Sequence, residues 1–105
     1  MARIRSVGSF DRRILVMTSL AGGAKHGYAL IKDIEEFSGV TLGPGTLYGC
    51  LTQLEEDGFV EALSEEKRRR PFRLTEEGRA ALRAALVQSA EISTAGLMRL
   101  SGAAG

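Results

Sequence analysis

Four consecutive cations form the densest cluster of chemically active side chains in this sequence: Lys67, Arg68, Arg69 and Arg70. Lysine and arginine bind phosphate, so such a run is a candidate contact for a nucleic-acid backbone. Short apolar segments on both sides of the run place it at the tip of a hairpin. Glu65 and Glu66 precede it and partly neutralise it, and a solvated surface loop is the alternative interpretation. We predict that these four cations contact DNA phosphates or the minor groove.

A second cluster follows Pro44, a residue well suited to the first position of a helix. Apolar residues recur after it at helical spacing: Leu47, Cys50, Leu51 and Leu54. The other side of this helix then carries small and polar residues that a major groove can admit: Gly45, Thr46, Gly49, Thr52 and Gln53. Tyr48 lies at the edge of that face. We predict that these residues bind DNA, and that Gly45 and Thr46 do so through backbone N–H groups at the helix start. An ordinary solvated helix face is the alternative.

Other reactive side chains are scattered along the chain. His26 is the single histidine, and we expect it to cap or pack at a helix start rather than to bind a metal. Cys50 belongs to the apolar stripe, which disfavours a redox role. Lys25 and Tyr28 are candidate phosphate contacts, although Tyr28 fits a core position equally well. We predict no catalytic residues, no metal site and no cofactor, because no partner at a recognisable spacing would orient a nucleophile.

The composition favours one small globular domain. The chain has 105 residues, of which 44% are hydrophobic and 26% charged, and this is typical of one folded domain. The net charge of +1 does not mark a nucleic-acid binder, so the positions of the charges must carry that argument. A single cysteine fits a reducing compartment. The apolar stretch after Arg13 is too short to span a bilayer, and we predict a cytoplasmic protein that binds no membrane.

Three helices must position these clusters. Asp11 suits the N-cap of a first helix over residues 11–21, whose inward residues are Ile14, Leu15, Met17 and Leu20. A second helix is predicted from near His26 to a stop at Gly39, and its inward residues are Tyr28, Leu30, Ile31, Ile34 and Phe37. The third helix runs from Pro44 to about residue 57, where Gly58 supplies a left-handed stop.

The hydrophobic period changes after Gly58. Residues 59–63 and 72–74 are predicted as the two strands of a hairpin. Thr75 then caps a long helix that is expected to end near residue 100. An apolar stripe on that helix is predicted to form a dimer interface: Leu82, Leu86, Leu97 and Leu100. Packing of the stripe against its own domain is the alternative, but a monomer of this size has little surface with which to cover it.

Four segments, in this order, resemble the PadR family of transcriptional regulators: His26-Gly27-Tyr28, Gly43-Pro44-Gly45-Thr46-Leu47-Tyr48, Leu54-Glu55-Glu56-Asp57-Gly58-Phe59-Val60 and Phe72-Arg73-Leu74-Thr75-Glu76-Glu77-Gly78. The resemblance implies a winged helix-turn-helix repressor that dimerises through its terminal helices. It also implies a third helix in the major groove of a promoter operator. Release from DNA by a small aromatic effector near the dimer interface is a further implication.

The expected fold is therefore mainly α: a winged helix-turn-helix of three helices plus a two-stranded β-wing, with a long C-terminal dimerisation helix. We predict a flexible basic arm over residues 1–10, a winged-helix domain over 11–74, the dimerisation helix over 75–100 and a disordered tail over 101–105. The expected function is sequence-specific binding of double-stranded DNA by a homodimeric repressor. A winged-helix module that docks a protein without strong DNA binding is the alternative.

Overall fold

The structure, a computed structural model, describes residues 11–102. Its elements follow in the order α1 Arg12–Ala21, α2 Gly27–Ser38, α3 Pro44–Glu56, β1 Val60–Ala62, β2 Phe72–Leu74 and α4 Glu76–Gly102. The predicted mainly helical, winged architecture is confirmed. The predicted arm and residues 103–105 of the predicted tail lie outside the described residues. Ser101 and Gly102 belong to α4, and their assignment to the tail was wrong because no glycine stops the helix directly after Leu100.

Local capping residues set the helix boundaries. Asp11 is the N-cap of α1 and accepts a hydrogen bond from the Arg13 backbone N–H at 2.8 Å. The Arg13 guanidinium, followed by this backbone bond, lowers the pKa of the Asp11 carboxyl below its usual value. Gly39 ends α2 in the left-handed conformation with φ of 76°, and Pro44 is the first residue of α3. The three short helices therefore begin and end close to the predicted residues.

The hydrophobic core surrounds α1, which packs against α2, α3, α4 and β2. The largest fully buried side chains come from the three short helices: Val16, Leu20, Leu30, Ile34, Leu47, Leu51 and Leu54. Two predicted inward residues of α2 are exposed instead, Tyr28 by 67% and Phe37 by 46%. Those two predictions were wrong because Tyr28 lies on the opposite side of α2 from Leu30, and Phe37 lies beyond the last buried residue of that helix.

The wing is an antiparallel pair in which Glu61 faces Arg73, and Nε of Arg73 donates to the Glu61 carboxylate at 2.6 Å. A third segment joins this pair, because the backbones of Lys25 and Phe72 exchange two hydrogen bonds with N–O distances of 3.1 and 2.9 Å. His26 directly follows Lys25. The bridge therefore places the beginning of α2 beside the wing.

Hydrogen bonds through Thr75 connect the first turn of α4 to the segment that precedes β1. Oγ1 of Thr75 accepts a hydrogen bond from the Gly78 N–H at 3.0 Å and donates to the Gly58 carbonyl at 2.6 Å. Leu82 is 5% exposed and belongs to the core. The prediction of Leu82 as a dimer contact was wrong, because its own domain already covers it. Beyond Leu82 no residue of α4 up to Gly102 is buried, and this larger part of the helix projects from the domain.

Candidate nucleic-acid interface

The predicted reading face of α3 is exposed along its whole length. Leu47, Leu51 and Leu54 are buried, so α3 is oriented as its apolar stripe predicts. The residues expected to face outward are all exposed: Gly45, Thr46, Tyr48, Gly49, Thr52 and Gln53. Oγ1 of Thr52 donates to the Tyr48 carbonyl at 2.9 Å, which leaves the methyl group and the oxygen lone pairs of the threonine to interact with a ligand.

Tyr48 is held in place by two neighbours from other elements. Its ring packs edge-on against Phe72 of the wing, with ring centroids 6.4 Å apart and planes at 64°. On the other side it lies against Gly27, where an added Cβ would overlap the tyrosine hydroxyl and come within 2.9 Å of Cζ. Because Gly27 has no side chain, the Tyr48 ring fits between α2 and the wing.

The tip of the wing is a two-residue turn at Lys67 and Arg68. Glu66 and Arg69 flank it and exchange backbone hydrogen bonds at 2.6 and 2.8 Å. Lys67 and Arg68 both have positive φ, 49° and 68°, as a type I′ turn requires, and asparagine followed by glycine is the preferred pair there. Two residues with a Cβ are strained in this conformation. The turn thus carries two cations where stability alone favours neutral residues.

The four wing cations are available for an external anion. Within residues 11–102 the ion pairs involve other cations, namely Arg13, Lys25 and Arg73. A groove of about 410 Å³ opens between the wing, the start of α2 and α3, and is lined by His26, Gly27, Tyr28, Tyr48, Glu65, Arg68, Arg69 and Arg70. The groove brings together residues of the wing, Tyr48 of α3 and the candidate phosphate contact Tyr28.

Lys25 does not point into that groove. Its Nζ donates to the Ser19 carbonyl at 2.5 Å and lies 3.9 Å from Asp33. The prediction of Lys25 as a phosphate contact was wrong, because its ammonium group already has partners in α1 and α2 and its backbone is part of the sheet. Tyr28 lines the groove and is exposed, a placement that favours its candidate role over its candidate core position.

Cys50 is a free cysteine on the half-buried side of α3. Burial raises the pKa of the half-buried Cys50 thiol, so the thiol stays protonated near neutral pH and is a poor nucleophile. Among residues 11–102 there is no cluster of three histidine, cysteine or carboxylate side chains that could hold a metal ion.

Sequence reasoning missed what His26 and Gly27 do. His26 occupies the N-cap position of α2 but makes no capping hydrogen bond with its side chain. Its Nε2 instead lies 3.2 Å from Nη1 of Arg69. The one local sign of a role for Gly27 is its position in the first turn of a helix. Glycine is unfavourable there unless another group packs closely against the backbone.

A model of the transcriptional regulator PadR-like family matches residues 16–84 of the chain. The chain belongs to this family. The matched span runs from α1 into the first half of α4 and contains α3 and the wing. The family is one of transcriptional regulators.

Two relatives and one solved structure illustrate the similarity. An uncharacterised 37.1 kDa protein in transposon TN4556 of Streptomyces fradiae is 51% identical over 69 residues, which are 66% of this chain and 20% of that protein. The transcriptional regulator YqjI of Escherichia coli is 33% identical over 78 residues, 72% of this chain and 38% of YqjI. The PadR-like chain thus spans much less than half the length of either relative. Bacillus subtilis PadR in complex with operator DNA shares the fold, with a TM-score of 0.66 and 20% identity over 72% of this chain and 46% of that one.

The described part of this PadR-like chain contains no helix long and apolar enough to cross a membrane. The longest helix, α4, carries charged side chains along its length, among them Arg83, Glu91 and Arg99.

Replacing Gly49 with alanine is expected to stabilise this PadR-like domain and to weaken its binding to DNA. No atom lies within 4 Å of a Cβ added at Gly49, and alanine in a helix interior is favoured over glycine by about 1 kcal/mol. The same methyl group would hold the α3 backbone away from a DNA surface. Urea unfolding measures the first effect and a duplex-binding titration the second. Unchanged affinity would remove Gly49 from the interface.

Proposed function

We propose that the chain is a sequence-specific DNA-binding transcriptional regulator that represses transcription as a homodimer. The observation that carries this proposal is the common groove. Tyr48 of α3, Tyr28 at the start of α2 and three wing cations line it, namely Arg68, Arg69 and Arg70. None of these three cations forms an ion pair within residues 11–102. That surface combines a helix of a size that enters a major groove with cations beside it that suit phosphate.

The two parts of the surface have different tasks in this proposal. The face of α3 reads base edges, where Gln53 pairs with adenine and the methyl group of Thr52 contacts thymine. The wing supplies affinity, since each phosphate it neutralises contributes about −0.9 to the slope of log K against log salt. Because the net charge is only +1, binding depends on this local concentration of charge.

The test is a genomic-DNA pull-down with the purified protein, analysed by sequencing. A variant with alanine at positions 67–70 is compared with one in which Arg68, Arg69 and Arg70 become lysine, which retains the charge. We expect a few promoter-proximal fragments to be enriched by the wild-type protein and by the lysine variant, and lost by the alanine variant. If the wild-type protein enriches nothing even at low salt, DNA binding fails and a protein-docking winged helix is the better account.

Dimerisation through α4 is the second part of the proposal. The helix has 27 residues and is about 40 Å long, yet its buried residues are only Gly78 and Leu82. One stripe continues from Leu82 with alternating steps of four and three residues, which is the coiled-coil spacing: Leu86, Ser89, Ser93, Gly96 and Leu100. Small residues in its middle permit close approach of a second helix. The occupant we propose is α4 of a second copy.

Leu97 lies at the edge of this stripe, four residues after Ser93, and Leu100 belongs to it. Replacing both leucines with glutamate is expected to convert the dimer into a monomer. Their side chains are 68% and 80% exposed, so the monomer fold tolerates the change, whereas a buried pair of charges in a helix interface is unfavourable. Met98 is equally exposed, at 67%, but lies on the far side of α4, and Met98→Glu is the control. Light scattering should give twice the chain mass of 11.3 kDa for the wild type and the control. Equal masses for the wild type, the double glutamate variant and Met98→Glu would contradict the proposed interface.

A small aromatic effector that releases the protein from DNA is the third part. A groove of about 320 Å³ lies between the end of α1 and α4, where Leu82, Leu86 and Val87 form an apolar wall beside Arg79 and Arg83. This lining suits an aromatic ring with an acidic group. The measurement is release of duplex DNA by a panel of aromatic acids, and release that survives the Val87→Gln change would place the effector elsewhere.

A further inference from the structure

One side-chain contact joins the wing to the beginning of α2. Nη1 of Arg69 lies 3.2 Å from Nε2 of His26, across 43 positions of sequence. A guanidinium has donors and no acceptor, so Nε2 must accept this hydrogen bond. With Nε2 as the acceptor, the neutral ring carries its proton on Nδ1. The contact therefore specifies one tautomer of the single histidine in the chain.

Backbone hydrogen bonds position both partners of this contact. Arg69 is paired with Glu66 at the base of the wing turn, and Lys25, which precedes His26, is paired with Phe72. The arginine side chain is the remaining mobile part. In solution such a side chain samples many rotamers, and it must lose them to bind a phosphate. A hydrogen bond that already selects one rotamer reduces that loss.

We propose that His26 is a positioning residue for Arg69: it holds the guanidinium over the groove between α2 and the wing, so that Arg69 meets a DNA backbone phosphate in a fixed orientation. This inference rests on the proposed DNA binding. The other groups lining the groove are Tyr28, Tyr48, Glu65, Arg68 and Arg70, and no hydrogen bond from them to His26 is present in the described part of the chain.

The contact can be tested without DNA, because one histidine gives one set of imidazole signals. Nitrogen-15 chemical shifts at a pH where the ring is neutral should report the Nδ1–H tautomer in the wild-type protein. The Arg69→Ala variant should shift toward the Nε2–H tautomer, and Arg70→Ala, which removes a neighbouring cation that does not contact His26, should not. The same tautomer in the wild type and in Arg69→Ala would overturn the contact.

The role in binding is tested by a double-mutant cycle on a random-sequence 30-base-pair duplex. His26→Ala is expected to weaken binding by about fivefold, the effect of one hydrogen bond, and to have almost no effect in the Arg69→Ala background. His26→Gln offers an acceptor oxygen and should restore most of the affinity. Unfolding midpoints of all variants should agree, because the contact is exposed.

The outcomes separate this inference from the function on which it rests. If His26→Ala reduced DNA affinity equally in the wild-type and Arg69→Ala backgrounds, His26 would act independently of Arg69, and the positioning role would be overturned. Unchanged DNA affinity of His26→Ala in both backgrounds would also overturn the positioning role. A wild-type protein that fails to bind the duplex at low salt would overturn the proposed function, and the phosphate role of Arg69 with it, while the tautomer measurement still decides the contact.

Discussion

Replacing Lys67 with asparagine and Arg68 with glycine is expected to make the protein more stable and, at the same time, a weaker DNA binder. Both residues have positive φ, a conformation that costs a residue with a Cβ roughly 1 kcal/mol or more. Asparagine and glycine adopt it readily. The free energy of unfolding should therefore rise by about 1 to 2 kcal/mol. Loss of two cations should make the slope of log K against log salt shallower by about 1.8 if each contacts a phosphate.

A second variant separates charge from backbone conformation at this turn. Lys67→Ala with Arg68→Ala removes the same charges but keeps a Cβ at both positions. It should lose the same DNA affinity without the gain in stability. Urea unfolding and duplex titrations at several salt concentrations measure the two effects. If the asparagine–glycine variant is no more stable than wild type, the turn is not strained, and if its salt dependence is unchanged, the wing tip does not contact DNA.

Replacing Gly78 with alanine is expected to destabilise the fold strongly. An added Cβ would overlap the carbonyl oxygen of Phe59 and come within 2.9 Å of its carbonyl carbon. These are backbone atoms of the chain entering β1, so the obstruction cannot be relieved by a rotamer change. Overpacking of this kind costs about 1 to 3 kcal/mol, and we expect a loss near the upper end, with a fall in Tm of roughly 10 to 20 °C.

The matched control for this change is Gly49→Ala. It places the same substitution in another helix, at a position where no atom lies within 4 Å of the new Cβ, and it is expected to raise stability. Thermal and urea unfolding of both variants would measure the difference in sign. Equal stability of Gly78→Ala and the wild type would mean that α4 does not pack directly on the start of the wing.

Local sequence signals determined the elements of this fold. Capping and stop residues act through the backbone within a few positions, and Asp11, Gly39, Pro44 and Thr75 mark helix ends where the structure has them. The period of leucines in α3 determined which side of that helix is buried. The exposed face of α3 and its candidate site residues could therefore be predicted without coordinates.

The hydrophobic period of a helix indicates which side faces the core, but not how deeply each residue on that side is buried. Leu82 and Leu86 lie on the same stripe of α4, yet Leu82 is 5% exposed and Leu86 is 38% exposed, because the domain ends between them. Phe37 follows the period of α2 and is still 46% exposed, because it lies beyond Ile34, the last buried residue of that helix. The division between the buried and the exposed part of the α4 stripe was decided by tertiary packing alone.

The candidate site itself depends on contacts between distant segments. The bridge between Lys25 and Phe72 brings the start of α2 against the wing, and the contact between His26 and Arg69 follows from it. The same packing turns the ammonium group of Lys25 inward. Sequence alone identified the cations and the helix that suit DNA, because residue type and local period carry that information. Their assembly around one groove required the tertiary structure, because hydrogen bonds across more than 40 positions leave no local pattern.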